Sequence, residues 1–504
     1  MYEGSLKPPH IILLDYLNGL HIYYSNNHIQ RGHFLLIHVV SSGETLWEIA
    51  MRYHVNVNAI QQVNQLPNPN QLLLGQSIVI PVPGSMYTVK KGDTIWSIAR
   101  QFSVSVNAVL QANNITNPNL LSPGTVLFIP PILHIVQPGE SLWQIASLYG
   151  VTVQSLMNEN QIQNPNMIYP GLQLVVPHPK PMIEVNAYTY QKDEEAAESV
   201  NAIGHLLTYF SPFAYLIKED GSLEPFDDDL MIAAAVDKRA VPMMVITNLS
   251  STSAGTNLAH AVLSSAENRE NLITNCLKIM GEKGYKGINI DFEYVPPEDR
   301  QNYNEFLELA VERFHNEGFF VSTAVAPKYG SELEGLLYTA HDYEAHGRIV
   351  DFVILMTYEW GWRGASPQAI SPINQMRRVV EYALSVMPAE KIYLGFQIYA
   401  RDWRLPHQQG QYAETFSPQE AIRRATRYGA TIQYNKTAES PFFRYINEQG
   451  QGHEVWFEDA RSAQAKFDMA KEYKLRGISY WALGYPFPQN WALLNDNFNI
   501  IKKA

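Results

Sequence analysis

The sequence predicts an α/β protein: a (β/α)8 barrel of the TIM class, bearing a small α+β insertion, preceded by three small α+β modules. Its 504 residues exceed what one hydrophobic core usually organises. Trp47, Trp96 and Trp143 recur at spacings of 49 and 47, as do Asn64, Asn113 and Asn160, and Gly75, Gly124 and Gly171. Gly43, Gly92 and Gly139 and Pro69, Pro118 and Pro165 keep the same register, and internal repetition outranks local propensity as a guide to organisation. Beyond Pro179, apolar strand-like runs alternate with helical periodicity, the mark of βαβ units.

Residues 1–35 match neither pattern and read as an N-terminal extension, either poorly packed or translated from ahead of the true start. The modules then span 36–82, 85–131 and 132–178, and the barrel 180–504 with an insertion at about 403–460. Each module starts with a strand (His38–Val40, Tyr87–Val89 or His134–Val136) and a glycine turn. A helix comes next, capped by Thr45, Thr94 or Ser141, whose hydroxyls can satisfy orphan amide protons. A second helix carries Val57, Ile60 and Val63 or their equivalents, and Asn-Pro-Asn makes a turn. A closing strand such as Ser77–Ile80 is expected to end at Pro81, Pro130 or Pro177. Trp47, Trp96 and Trp143 read as core residues of these units, and short spacers join modules that are expected to fold on their own.

In the barrel the candidate strands are Ile183–Tyr188, His205–Phe210, Val241–Thr247, Gly287–Phe292, Phe320–Ala326, Phe352–Thr357, Lys391–Ile398 and Gly477–Trp481. The stretch from Ala400 to Gly477 is too long for one crossover helix. It holds a capped helix start at Ser417-Pro-Gln-Glu420 and a hairpin of Pro441–Tyr445 with His453–Phe457, whose aromatic residues read mainly as core.

Composition excludes several classes. A net charge of -12 without a Lys/Arg cluster argues against nucleic acid as partner. Between Ile37 and His178 four basic residues face five acids, which suits a ligand read by hydrogen bonds and not by charge. Cys276 is the single cysteine, so no internal disulfide forms, and no CxxC or HExxH spacing calls for a metal; no cofactor is expected. The apolar runs Ile11–Leu14 and Phe34–Val40 fall far short of the ~20 residues that span a bilayer. No cleavable signal is evident, and a monomer is expected.

The chemistry concentrates in Gly284-Tyr-Lys-Gly-Ile-Asn-Ile-Asp-Phe-Glu-Tyr294. Residues two apart in a strand share a face, so Asp291 and Glu293 point into a common pocket. A neighbouring carboxylate and partial burial raise a carboxyl pKa, which makes Glu293 the candidate general acid.

This segment resembles the signature of the family 18 glycoside hydrolases, Asp-Gly-x-Asp-x-Asp-x-Glu on the fourth barrel strand, with Lys286 and Asn289 in its first two acidic positions. The resemblance implies retaining hydrolysis without an enzyme nucleophile: the substrate's 2-acetamido oxygen attacks the anomeric carbon while Asp291 orients the acetamido group. Met356-Thr-Tyr-Glu359 resembles the family's Met-x-Tyr-Asp segment, which implies that Tyr358 hydrogen-bonds the acetamido oxygen and that Glu359 contacts substrate with one methylene more than the usual Asp. By the same likeness Trp481 floors the -1 sugar. Asn289 joins the binding set, keeping hydrogen bonds but removing a charge that would couple to Asp291.

Residues 37–178 resemble LysM modules, which bind N-acetylglucosamine-containing glycans. That likeness places the glycan groove at Gly43, Glu44, Thr45 and Leu46 with 70–74; at Gly92, Asp93, Thr94 and Ile95 with 119–122; and at Gly139, Glu140, Ser141 and Leu142 with 166–169. Three modules in tandem would add avidity on a polymer. Together with the segments His453–Ser462 and Leu475–Gly484, the order of parts resembles the spore cortex-lytic germination proteins of the YaaH/SleL type, which more often carry two LysM modules. That resemblance implies an N-acetylglucosaminidase that degrades cortex peptidoglycan or its fragments, located in the spore cortex or coat. A chitinase or chitooligosaccharide hydrolase, and a non-catalytic glycan-binding or spore-coat protein, are the other readings.

Overall fold

In the computed structural model residues 33–503 are described, apart from 54, 67, 84, 103, 114, 120, 131, 178–179 and 251–253. The extension expected over 1–35 therefore lies outside the described residues except at its end. There His33 already begins a strand, His33–Val39, that pairs with Ser77–Pro83.

Eight parallel strands close into a barrel: Met182–Thr189, Tyr209–Pro212, Val241–Thr247, Gly287–Asp291, Phe320–Val325, Phe352–Leu355, Ile392–Gln397 and Gly477–Trp481. The eighth pairs with the first and the third with the fourth, so no edge is left. Side chains alternate across the wall. In the fourth strand Ile288 and Ile290, with Phe292 just beyond, enter the apolar layer under the helices, while Asn289 and Asp291 take the inner side. Tyr188, Tyr209, Met243, Val245, Phe352 and Tyr393 pack the lumen, which is a core and not a pore. Only the second strand departs much from expectation. His205 and Leu206 form a 3-10 turn, closed by Lys502 Nζ donating to the carbonyls of Gly204 (2.9 Å) and Leu207 (2.5 Å).

Between the seventh and eighth strands lies a five-stranded antiparallel sheet with the helix Pro418–Arg427 on it. The expected hairpin is present as Ser440–Ile446 paired with Gly452–Trp456. Trp403, Phe443 and Phe457 are buried there, so the aromatic residues do form core.

Each module is two helices on a two-stranded antiparallel sheet. Thr45, Thr94 and Ser141 cap the first helices through full capping boxes. The repeated asparagines clamp helix to strand. Asn64 Nδ2 donates to the carbonyls of Ile60 (2.7 Å) and Val79 (2.6 Å), and its Oδ1 accepts from the Val79 amide (2.7 Å). Asn113 and Asn160 repeat all three bonds.

Two expectations are corrected. Pro81 does not end its strand, which runs on to Pro83, because a two-stranded sheet has a free edge where a missing N–H costs nothing. Nor are the repeated tryptophans core: Trp47, Trp96 and Trp143 are 61%, 51% and 70% exposed. Each directly succeeds a buried Leu46, Ile95 or Leu142, and one step along a helix turns a side chain by ~100° away from the core. The first module also does not stand free, since Val79 joins the apolar layer of the barrel and Leu73 that of the insertion.

Cys276, in the helix Ala266–Lys283, is buried, and burial pushes its thiol far above the ordinary range. A thiol reagent should therefore leave the native protein unmodified and titrate one equivalent in denaturant; rapid labelling without denaturant would contradict this packing.

Candidate active site

The C-terminal mouth of the barrel is where strand ends leave side chains without neighbours above them. Asp291 is the last residue of the fourth strand, is 5% exposed, and has no hydrogen-bond partner for its buried Oδ1. Glu293 lies two residues further on, beyond the regular strand, partly open to the cleft. Its backbone is bracketed by one side chain: Asn248, just past the third strand, accepts from the Glu293 N–H (2.9 Å) and donates to its carbonyl (2.7 Å). His341 holds the preceding residue. Its Nδ1 accepts from the Ala326 amide (2.8 Å), which leaves Nε2–H to donate to the Phe292 carbonyl (2.8 Å). Burial holds this imidazole down at about 4, so it stays neutral in that role.

Burial also governs the two acids. It pushes the Asp291 carboxyl up to about 7. Glu293 rises to about 8, through burial first and then the negative charges of Asp291 and Glu359. With both carboxyls raised to that range, the pair retains a proton at neutral pH.

Glu359 enters at the mouth with a φ of +70°, a conformation that non-glycine residues rarely adopt. It is gripped by Arg401, whose Nη2 and Nη1 donate to its Oε1 (2.7 Å) and Oε2 (2.8 Å), and by the Tyr399 hydroxyl. Arg401 belongs to the first strand of the insertion and is itself buried. Planar bidentate pairing of this kind neutralises a carboxylate while fixing its plane. Glu359, expected to touch substrate, thus spends both oxygens on the protein.

Tyr358 is half-buried beside it, and burial raises its hydroxyl far above the ordinary value, with further contributions from Tyr188, Asp291 and Glu293. Trp481 lies at the end of the eighth strand with its ring 4.8 Å from Phe213 and 5.6 Å from Tyr188, both edge-on. Tyr358, Asp291, Glu293 and Trp481 therefore converge on one mouth. Asn289 does not. It is 0% exposed, accepts from the Tyr188 hydroxyl (2.8 Å) and donates to Ser322 Oγ (3.0 Å), so it braces the floor from below and cannot reach a substrate. Asn248, His341, Tyr399 and Arg401 were not singled out from sequence. A basic residue two positions after an aromatic just past a strand end is the one signal that could have pointed to the last pair.

In the modules the expected glycan residues divide. Leu46, Ile95 and Leu142 are buried in the module cores, so their side chains face inward. The acids clasp their own turns. Glu44 takes hydrogen bonds from the Ser41 amide (2.7 Å) and His38 (2.9 Å), and the Ser41 amide above all holds its carboxyl down at about 2. Asp93 is bonded by Lys90 N–H and the Tyr87 hydroxyl, and Glu140 by Gln137 N–H and His134. Gly43, Gly92 and Gly139 have φ between +79° and +95°, and nothing lies within 4 Å of where a Cβ would stand. Their backbone is open to a ligand. Among the described residues, no group of three or more His, Cys, Asp or Glu could hold a metal, and no helix is long and apolar enough to cross a membrane.

The model of the glycosyl hydrolases family 18 matches residues 213–485, and that of the LysM domain matches 38–81, 87–130 and 134–177. The cortical fragment-lytic enzyme of Bacillus subtilis (strain 168) is 43% identical over 473 residues, covering 93% of this chain and 99% of its own. Among solved structures, the spore cortex-lytic enzyme SleL of Bacillus megaterium QM B1551 superposes with a TM-score of 0.75 at 38% identity, over 94% of this chain and 100% of its own. The Bacillus cereus SleL structure gives a TM-score of 0.75 at 35% identity, over 93% and 99%.

A carboxyl raised to about 8 stabilises the fold fully only below the ordinary carboxylate range, and that contribution is lost as pH rises through 8. Glu293→Gln cannot ionise, so its melting temperature relative to the parent should be near equal at pH 4 and clearly higher at pH 9. A constant difference across that range, measured by calorimetry, would show that Glu293 is not held protonated.

Proposed function

The chain belongs to glycoside hydrolase family 18, and from that premise we propose that it is an N-acetylglucosaminidase acting on spore cortex peptidoglycan or its fragments. The observation that carries the reading is the buried acid pair at the end of the fourth strand. Its likeness along nearly its whole length to cortical fragment-lytic and cortex-lytic enzymes supports the substrate and a spore-associated location.

In this reading Glu293 is the general acid. Protonating a glycosidic oxygen near neutral pH needs a carboxyl that still holds its proton there, and a value of about 8 meets that need. As the C–O bond breaks, the 2-acetamido oxygen closes on the anomeric carbon from the other face. Asp291, with an oxygen that no protein group occupies, accepts the acetamido N–H and offsets the charge of the cyclic intermediate. Tyr358 donates to the acetamido oxygen and orients it, while Trp481 gives the sugar ring an apolar face. Water activated by deprotonated Glu293 then opens the ring with retention. Asn248 and His341 keep the acid segment in place, and Arg401 holds Glu359 at a fixed position on the rim. The LysM modules retain the enzyme on the polymer, supplying local concentration and no transition-state contact.

Glu293→Gln should lower kcat by about 10²-fold or more while leaving fold and glycan binding intact, since an amide donates no such proton. Retention of a tenth of parental activity would require another acid. A thiazoline analogue of N-acetylglucosamine should inhibit competitively and bind more tightly than substrate, because it mimics the cyclic intermediate; a sugar trapped covalently on a carboxylate would defeat substrate assistance. Mass spectrometry of digests of purified cortex and of chitohexaose decides the substrate, and cleavage of chitohexaose alone would favour a chitinase.

A further inference from the structure

The three modules share one fold and one set of repeated positions, which makes each an internal control for the others. At four equivalent positions the first differs. Leu73 is 7% exposed and packs among Ala400, Phe416, Ile432, Phe443 and Phe457 of the insertion, whereas Ser122 and Tyr169 are exposed, Tyr169 at 63%. Val79 is fully buried in the apolar layer of the barrel; its counterparts Phe128 and Val175 are only half-buried. Asn64 is buried and accepts from Gln489 Nε2 of the barrel (2.7 Å), while Asn113 and Asn160 are half-buried. The fourth contrast is geometric. Gly75, Gly124 and Gly171 have φ of +82°, +89° and +89°, yet a Cβ would meet the Ile432 carbonyl at 1.9 Å on Gly75 and nothing within 4 Å on the other two.

Backbone groups of the same loop are committed as well. The Leu74 carbonyl accepts from the Ile432 amide (3.0 Å), the Gly75 carbonyl from Arg461 (3.1 Å), and the Ser77 carbonyl from Gln489 (3.1 Å). Residues 70–74 form one wall of the groove in which a LysM module would lay its glycan. In the first module the centre of that wall, the Leu73 side chain and the Leu74 carbonyl, is committed to the insertion, while Asn70 and Gln71 at its start stay exposed.

We propose that the first module is a fixed structural part of the catalytic domain, bracing the insertion that carries Arg401, and that the polymer is captured by the second and third modules alone. The capture half of this proposal rests on the reading of the modules as glycan binders; the structural half does not. The exposed Asn119, Ser122, Asn166 and Tyr169 and the backbone at Gly92 and Gly139 are what such a ligand would meet, beside Gly124 and Gly171, where nothing lies within 4 Å of the place of a Cβ. A glycan strand held there lies on modules whose counterpart loops, among the described residues, make none of the first module's bonds to the barrel.

The test uses the full chain, with exposure of the Cys276 thiol on heating as a readout of barrel unfolding that needs no activity. Gly75→Ala should lower the temperature of thiol exposure by ~3 °C or more, and Gly124→Ala and Gly171→Ala, at the same φ, should leave it within about 1 °C. Should Gly75→Ala fail to fold, Leu73→Ser, which installs the second module's residue, should give the same direction. Equal shifts for all three glycine variants would overturn the structural half. For capture, retention on purified cortex is compared between Asn119→Ala/Ser122→Ala/Tyr169→Ala and Asn70→Ala/Gln71→Ala. Retention should fall about tenfold or more in the former and stay unchanged in the latter. An equal fall in both would overturn the division of labour. Absence of retention in the parent protein would overturn the glycan-binding reading itself, a failure the thiol readout does not share.

Discussion

Keeping a carboxylic acid protonated at neutral pH demands that it be buried beside another acid, and burial of two such groups is the constraint to which the rest of the catalytic domain answers. Asp291 and Glu293 sit at the end of one parallel strand whose other residues are fully enclosed. A third ionised group beneath them would add a further desolvation cost. Asn289 occupies that place with a neutral amide and finds partners in Tyr188 and Ser322. At the rim the charge of Glu359 is tolerated because Arg401 pairs with both its oxygens.

A raised pKa is useful only if the acid is held where the leaving oxygen will be. Regular strand hydrogen bonding ends at Asp291, and the chain beyond it is irregular, with Tyr294 at a φ of +52°. Such a conformation costs on the order of 1–3 kcal/mol and persists only where the surroundings over-determine it. Asn248, just past the third strand, and His341, just ahead of the helix Tyr343–Ile349, supply that determination through carbonyls and amides, so the acid is placed by its backbone and not by its carboxyl. Phe292 adds a third anchor by packing on Tyr303 and Phe306 in the outer layer.

The modules show how one local design serves two ends. Capping boxes, an acid that clasps the first turn and an asparagine clamp between helix and strand recur in all three, so each unit is specified by short-range interactions. Their outer surfaces are then free to diverge. At one equivalent position leucine is seated in an apolar neighbour, while serine and tyrosine face water.

Whatever is periodic or local was legible in the chain alone. The repeat spacing revealed the modules, alternating apolar runs the eight strands, and the two-residue spacing the juxtaposition of Asp291 and Glu293, because strand and helix periods leave their trace along the chain. Side-chain direction at helix starts was misread where repetition was taken for burial, since Trp47, Trp96 and Trp143 recur for a reason that core packing does not supply. It took the folded molecule to show that Asn289 lies beneath the site, that Arg401 reaches Glu359 from the insertion, that Asn248 and His341 hold the acid segment, and that the first module is built into the barrel. Each of these joins residues some 40 to several hundred positions apart, and barrel closure, which brings such positions together, leaves no periodic mark in the chain.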